Sequence, residues 1–416
     1  AGLLPQTVSA SSSLTVSELE NQNKSLSGVD FSSKIYVTGT LSSGSTSVYE
    51  NGKNIVLTET AGLNGNTIRG SLSAENWTCT DAFALKGTLY ASGAITLRDG
   101  AALTALSYQQ SGGTLSVSQN AVLQSEGDLL LGGATTNNGM VFAEGDAKIT
   151  AAFTGGTLKV KGDLAASASL TPDTLVFDAK VPQSFSNSGT TTVQNLQIIN
   201  PSGGGFTVGS VINVTGRFNN DCKNLIHGEN IHLSGDSVYV DNNLAKGDFT
   251  VSGTYTVKSG DTLTVNGKLY LQKDATLIVE DGASLLVKRS LISNGATLLV
   301  ESGGAVEITD YWSSSSDTVQ VDGTLTVKGD AKLSSAAVSA SGLLTFKGDL
   351  TVSGGTWNNP NVAFISKLPQ VVSGSAISVG NLTVDNLSRT GIQIDAKITP
   401  SGTVQYIHMS ADDAAA

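Results

Sequence analysis

Three histidines, three tryptophans, two cysteines and a scatter of aspartates are the residues of this chain whose chemistry could go beyond structure. His227 and His232 lie close together in Leu225-Ile226-His227-Gly228-Glu229-Asn230-Ile231-His232, with Glu229 available as a third ligand for zinc. On an extended chain, however, side chains alternate between faces, so a spacing of five points the two imidazoles in opposite directions. No metal site is expected there. His408 stands alone near the C-terminus.

Carboxylates are the next candidates. Cleavage of polysaccharides by acid–base chemistry or with Ca²⁺ needs them clustered. Asp99, Asp128, Asp146, Asp163, Asp281, Asp330 and Asp349 instead stand singly at turns, where a short carboxylate bonds its own backbone. The doublet Asp412-Asp413 falls in an Ala-rich tail. The tandem Gly-Gly-x-Gly-x-Asp series of Ca²⁺-binding repeats is missing, as are a Walker loop and a strand–helix nucleophile elbow. The expectation is a protein with no catalytic residues, no cofactor and no metal.

Binding residues remain. Trp77, Trp312 and Trp357, with Tyr311 beside Trp312, have the flat faces that stack on sugars or anchor a partner, although packing inside the fold would use the same residues. The Thr-x-Thr pairs 254/256, 262/264 and 324/326 are similar to the threonine ranks of ice-binding solenoids, but they do not fall in successive rungs. Cys79 and Cys222 either bridge or sit apart as small buried thiols, and the second is the default.

The composition says what must position these groups. Among 416 residues, charged types make up only 14%, while Gly, Ser, Thr, Val and Leu dominate. That mixture suits pleated strands and tight turns and lacks helix formers. A net charge of −11 leaves no basic patch for nucleic acid. No apolar run is long enough to span a membrane. The start at Ala1 fits a secreted chain after removal of its signal peptide.

Strand-like tetrads then recur with a fixed period. Thr276-Leu277-Ile278-Val279, Thr297-Leu298-Leu299-Val300 and Thr318-Val319-Gln320-Val321 follow one another at 21-residue steps. A second series, Thr262-Leu263-Thr264-Val265, Ser284-Leu285-Leu286-Val287 and Val306-Glu307-Ile308, interleaves with it at about 22. Two staggered ladders with one period describe coils of roughly 20 residues stacking strand on strand. The second and fourth residues of each tetrad share the core face. Asp281-Gly282, Asn294-Gly295, Gly303-Gly304 and Asp322-Gly323 mark the turns.

A longer duplication overlies this period. Gly87-Thr88-Leu89-Tyr90 matches Gly267-Lys268-Leu269-Tyr270, and Gly145-Asp146-Ala147-Lys148 matches Gly329-Asp330-Ala331-Lys332. Lys180, Pro182 and Gln183 reappear as Lys367, Pro369 and Gln370, and the offset drifts only from 180 to 187. The expected organisation is an N-terminal segment with the first rungs at 1–86, a first block at 87–216, connecting rungs at 217–266, a duplicate block at 267–402, and a C-terminal strand and tail at 403–416.

The segment 185–200, ending Val193-Gln194-Asn195-Leu196-Gln197-Ile198-Ile199-Asn200, and its second copy Val379-Gly380-Asn381-Leu382-Thr383-Val384-Asp385-Asn386 resemble rungs of bacterial extracellular β-solenoid surface proteins, the autotransporter-passenger and filamentous-haemagglutinin-like stalks and fibres. The resemblance implies an all-β, right-handed parallel β-helix, secreted or at the cell surface. It implies a structural role, as a self-assembling fibre subunit or an adhesin stalk, with glycans or a host surface as further partners. Leu4-Pro5-Gln6-Thr7 looks like a sortase signal, but it lies at the wrong end and continues with Val8. No cap is evident at either end, so head-to-tail self-association through the solenoid ends is expected. A carbohydrate-binding β-helix is the alternative, and a polysaccharide lyase or hydrolase the more distant one.

Overall fold

A computed structural model describes residues 4–44, 47–64, 67–234, 239–240 and 244–408. Val238, the side chains of Tyr239 and His408, and the Asp412-Asp413 doublet fall outside them. The protein is a β-solenoid of parallel strands with roughly 20 residues per coil. Among the described residues the only helical turns are two short 3₁₀ turns, Gly52–Asn54 and Gly228–Asn230. The chain divides into two compact units, Ala1–Val211 with Asp221–Lys223, and Ile212–Asn220 with Asn224–Ala416.

Each coil of unit 2 contributes a strand to three parallel ladders. One runs through Thr262–Val265, Ser284–Val287, Ala305–Ile308, Thr324–Val327 and Leu343–Phe346. A second runs through Thr254–Val257, Thr276–Val279, Thr297–Val300 and Thr318–Val321. The third holds Phe249–Val251, Leu269–Leu271, Leu291–Asn294, Trp312–Ser315 and Ala331–Ser334. The register is the one the tetrad spacing predicts, Thr276 over Thr297 over Thr318. Leu277, Val279, Leu298, Val300, Leu285 and Val306 are all buried, as alternation requires.

The first residues of the second ladder, Thr254, Thr276, Thr297 and Thr318, stand directly above one another in successive coils. A threonine file therefore exists, while the Thr-x-Thr pairs themselves do not recur in successive coils. It is a single file, because the partner position runs Thr256, Ile278, Leu299, Gln320.

Unit 1 is built in the same way. Ala102–Gln110, Val122–Ser125, Met140–Ala143, Thr157–Val160 and Thr174–Asp178 stack in one ladder, and Leu129–Leu131, Ala147–Ile149, Leu164–Ala166 and Gln183–Asn187 in another. In such a stack the backbone donors of an interior coil are satisfied by its neighbours, so hydrogen bonding costs nothing in burial. Each inward Leu, Val or Ile then contributes roughly 1.5–3 kcal/mol by leaving water.

Two interior details fix the coil. Gly323 is needed because a Cβ there would lie 2.1 Å from the Gly304 carbonyl oxygen of the preceding coil. Asp317 is buried, and its carboxylate accepts bonds from the Ser314 hydroxyl at 2.6 Å, the Ala296 N–H at 2.8 Å, the Ser315 N–H and the Ser293 hydroxyl. A buried carboxylate of this kind needs such donors to replace water.

Candidate functional site

The histidine-containing turn leads to the site. After the short strand Leu225–Ile226, His227 takes a left-handed conformation at φ 57° and caps the 3₁₀ turn Gly228–Asn230. The turn closes through the Asn230 N–H, which donates to the His227 carbonyl at 3.1 Å. Gly228 is obligatory here, since a Cβ would lie 2.1 Å from the Asp248 carbonyl oxygen. In the next coils Gly247 has φ 101°, and a Cβ on Gly267 would meet the Gly247 carbonyl at 2.3 Å. Close approach of successive backbones thus forces a column of glycines, and a column without side chains is a recess.

The recess is a cleft of about 260 Å³ in unit 2, walled by Leu225, His227, Glu229, Asp248, Asn266 and Arg289. Arg289 occupies the glycine column one coil beyond Gly267, as the pairing of Leu269 with Leu291 requires, and its side chain borders the recess. His227 Nδ1 lies 3.1 Å from Glu229 Oε1. One oxygen of Asp248 accepts the Lys268 N–H at 2.7 Å. Two acidic residues and one arginine therefore line the same polar cleft.

The expected residues distribute as follows. His227 and Glu229 are brought into the cleft, but His232 is not. His232 sits half-buried on a strand, with Nε2 3.4 Å from the Gln272 amide nitrogen, and burial lowers its pKa. Among the described residues no three His, Cys, Asp or Glu side chains are placed to hold a metal ion. Asp248, Asn266 and Arg289 were passed over by sequence reasoning. Their signal was the glycines at 228, 247 and 267, one per coil.

The aromatic candidates are corrected by burial. Trp77 and Trp312 are wholly interior, and Trp357 nearly so, which leaves none of the three indoles as a platform for sugars. Trp77 donates its indole N–H to the Ala61 carbonyl at 2.7 Å and meets Phe83 edge-on. Tyr311 is half-buried, and its carbonyl accepts the Leu291 N–H. Cys79 and Cys222 are buried thiols with no disulfide between them.

The turn aspartates also behave differently from expectation. Five of the seven, Asp128, Asp146, Asp163, Asp330 and Asp349, bond the backbone of the next coil, not their own. Asp128 accepts the Asp146 N–H at 3.1 Å, Asp146 the Asp163 N–H at 2.8 Å, and Asp163 the Ser184 N–H at 2.7 Å. In unit 2, Asp330 accepts the Asp349 N–H and Asp349 the Val371 N–H. Parallel stacking makes the neighbouring coil as near as the residue two along the chain.

Compared with models of protein families, with curated proteins and with solved structures, the chain matches none. No helix among the described residues is long and apolar enough to cross a membrane.

Proposed function

We propose that this chain is an extracellular structural protein, a self-associating fibre subunit or the stalk of a surface adhesin, that acts without catalysis. The outermost coils support this reading. In unit 1, Gln6–Val8 and Leu14–Asn21 pair with Val29–Phe31 and Ile35–Ser43, and with no other strand among the described residues. Leu14 stands over buried Ile35 yet is itself exposed. In unit 2, exposed Val404 and Tyr406 stand over buried Leu382 and Val384. These surfaces continue the core, no described residue covers them, and another parallel coil would both bury them and pair their edges. The coil proposed to cover them belongs to a second copy of the chain.

Sedimentation velocity and negative-stain imaging test this. The expected outcome is concentration-dependent association into filaments, weakened by Leu14→Lys or Tyr406→Lys. A monodisperse monomer at all concentrations would overturn the reading. Carbohydrate binding is a second reading, favoured by the polar cleft of unit 2.

A further inference from the structure

We propose that the glycine-floored cleft of unit 2 binds a hydroxyl-rich saccharide unit, neutral or amine-bearing, through Glu229, Asp248, Asn266 and Arg289. This deepens the carbohydrate reading and stands apart from the fibre reading.

The floor of the cleft is a product of the scaffold, and the scaffold makes that floor twice. In unit 1 the 3₁₀ turn Gly52–Asn54 follows Asn51 at φ 48°, as Gly228–Asn230 follows His227. A Cβ on Gly52 would lie 2.1 Å from the Ser71 carbonyl oxygen, as one on Gly228 would from that of Asp248. Gly70 at φ 107° matches Gly247 at φ 101°, and Gly87 presses on Gly70 as Gly267 presses on Gly247. The floor is therefore the same in both copies. The walls are not. Asn51, Lys53, Ser71, Lys86 and Leu106 stand where unit 2 has His227, Glu229, Asp248, Asn266 and Arg289. In the first copy Lys86 is held by Glu126 at 2.6 Å. In the second, no hydrogen bond or ion pair among the described residues occupies the Arg289 guanidinium or the Asn266 amide.

The second set of walls fits a sugar ring. A vicinal diol donates its protons to carboxylate oxygens and accepts from planar guanidinium or amide groups, and charge-assisted bonds of this kind are the strong ones. Leu225 supplies an apolar patch for the C–H face. Two carboxylates and one guanidinium line the cleft, so acidic sugars are disfavoured. A cleft near the lower end of the usual range for small-ligand sites, roughly 300 Å³, suits a short stretch of glycan.

Isothermal titration calorimetry on the full chain tests this with three probes: a glucosamine trimer, maltotriose and trigalacturonate. Variants Glu229→Lys and Arg289→Leu introduce the residue types that the first copy carries at the same places, Lys53 and Leu106, so the coil already accommodates them. Glu229→Gln is the fallback should either fail to fold. The glucosamine trimer or maltotriose is expected to bind, trigalacturonate is not, and each variant should weaken binding roughly tenfold or more while the unfolding midpoint holds. Failure of both expected probes to bind, or preference for trigalacturonate, overturns the proposal. Binding that survives unchanged in the variants overturns this cleft as the site while leaving carbohydrate binding elsewhere on the chain intact.

Discussion

The side-chain amide of Asn386 donates to the carbonyl oxygen of Leu368 at 3.2 Å, and the same bond joins Asn200 to Val181 at 2.9 Å and Asn23 to Leu4 at 3.1 Å. In each case the acceptor opens an aliphatic-Pro-Gln turn: Leu4-Pro5-Gln6, Val181-Pro182-Gln183 and Leu368-Pro369-Gln370. Each aliphatic side chain stays in solvent, at 75%, 62% and 71% exposure. Each asparagine also accepts the N–H of a serine two residues on, Ser25, Ser202 and Ser388. The segment that looked like a misplaced sortase signal is thus one of three copies of a structural corner. The long repeat reaches back to residue 4 and begins a third time near residue 368.

Removing this bond should be costly. Asn200 and Asn386 are buried, and Asn200→Ala or Asn386→Ala leaves a carbonyl and a serine N–H without a partner. We expect a loss of about 1–3 kcal/mol in either variant, read from chemical denaturation. A change inside measurement error would mean that water replaces the amide.

The tryptophans separate in the same assay. Trp77→Phe loses volume and the bond to Ala61, leaving that carbonyl unsatisfied. Trp357 has a buried indole N–H with no partner among the described residues. Trp357→Phe therefore removes an unsatisfied donor together with ring volume, and these effects oppose each other. Trp77→Phe should be destabilising by about 2 kcal/mol more than Trp357→Phe. Equal losses would contradict the assigned bonds.

Alternation and spacing made the coil legible, because period two sets the inward face and one coil length sets the neighbour. Where an extra residue resets the alternation, the reading failed. Along Leu72–Cys79 the buried residues are Leu72 and Ala74, then Trp77 and Cys79, and Asn76 at φ 49° absorbs the odd step. Strict alternation would have turned Trp77 outward. Trp312 shares its inward face with Ser314, a polar residue that hides a core strand until its partner Asp317 is located. The cleft was invisible for another reason: its walls come from four coils, and only its glycines carry a period.

Cys79 gives a prediction with a sign in pH. Burial pushes its thiol up to about 11 from an ordinary value of 9.0. The native state therefore withholds the reactive thiolate below pH 9. Its contribution to stability is present there and is lost as pH rises from 9 towards about 11. A thiol reagent at pH 8 should label neither Cys79 nor Cys222 in the native protein and both after denaturation. Rapid native labelling at pH 8 would show that the coil around Cys79 opens.

Asp317 provides the sharpest test of the interior. All its described bonds are accepted ones, two from hydroxyls and two from backbone N–H groups. Asp317→Asn keeps the shape but turns one acceptor oxygen into an N–H₂ donor aimed at other donors. The hydroxyls of Ser293 and Ser314 can rotate, whereas the Ala296 and Ser315 N–H groups cannot. We expect Asp317→Asn to be destabilising by about 1–3 kcal/mol and Asp317→Ala by at least as much. Hydrogen exchange at the Ala296 amide should rise in both. If Asp317→Asn were as stable as the parent, the side chain would be acting through its shape and the carboxylate would be dispensable.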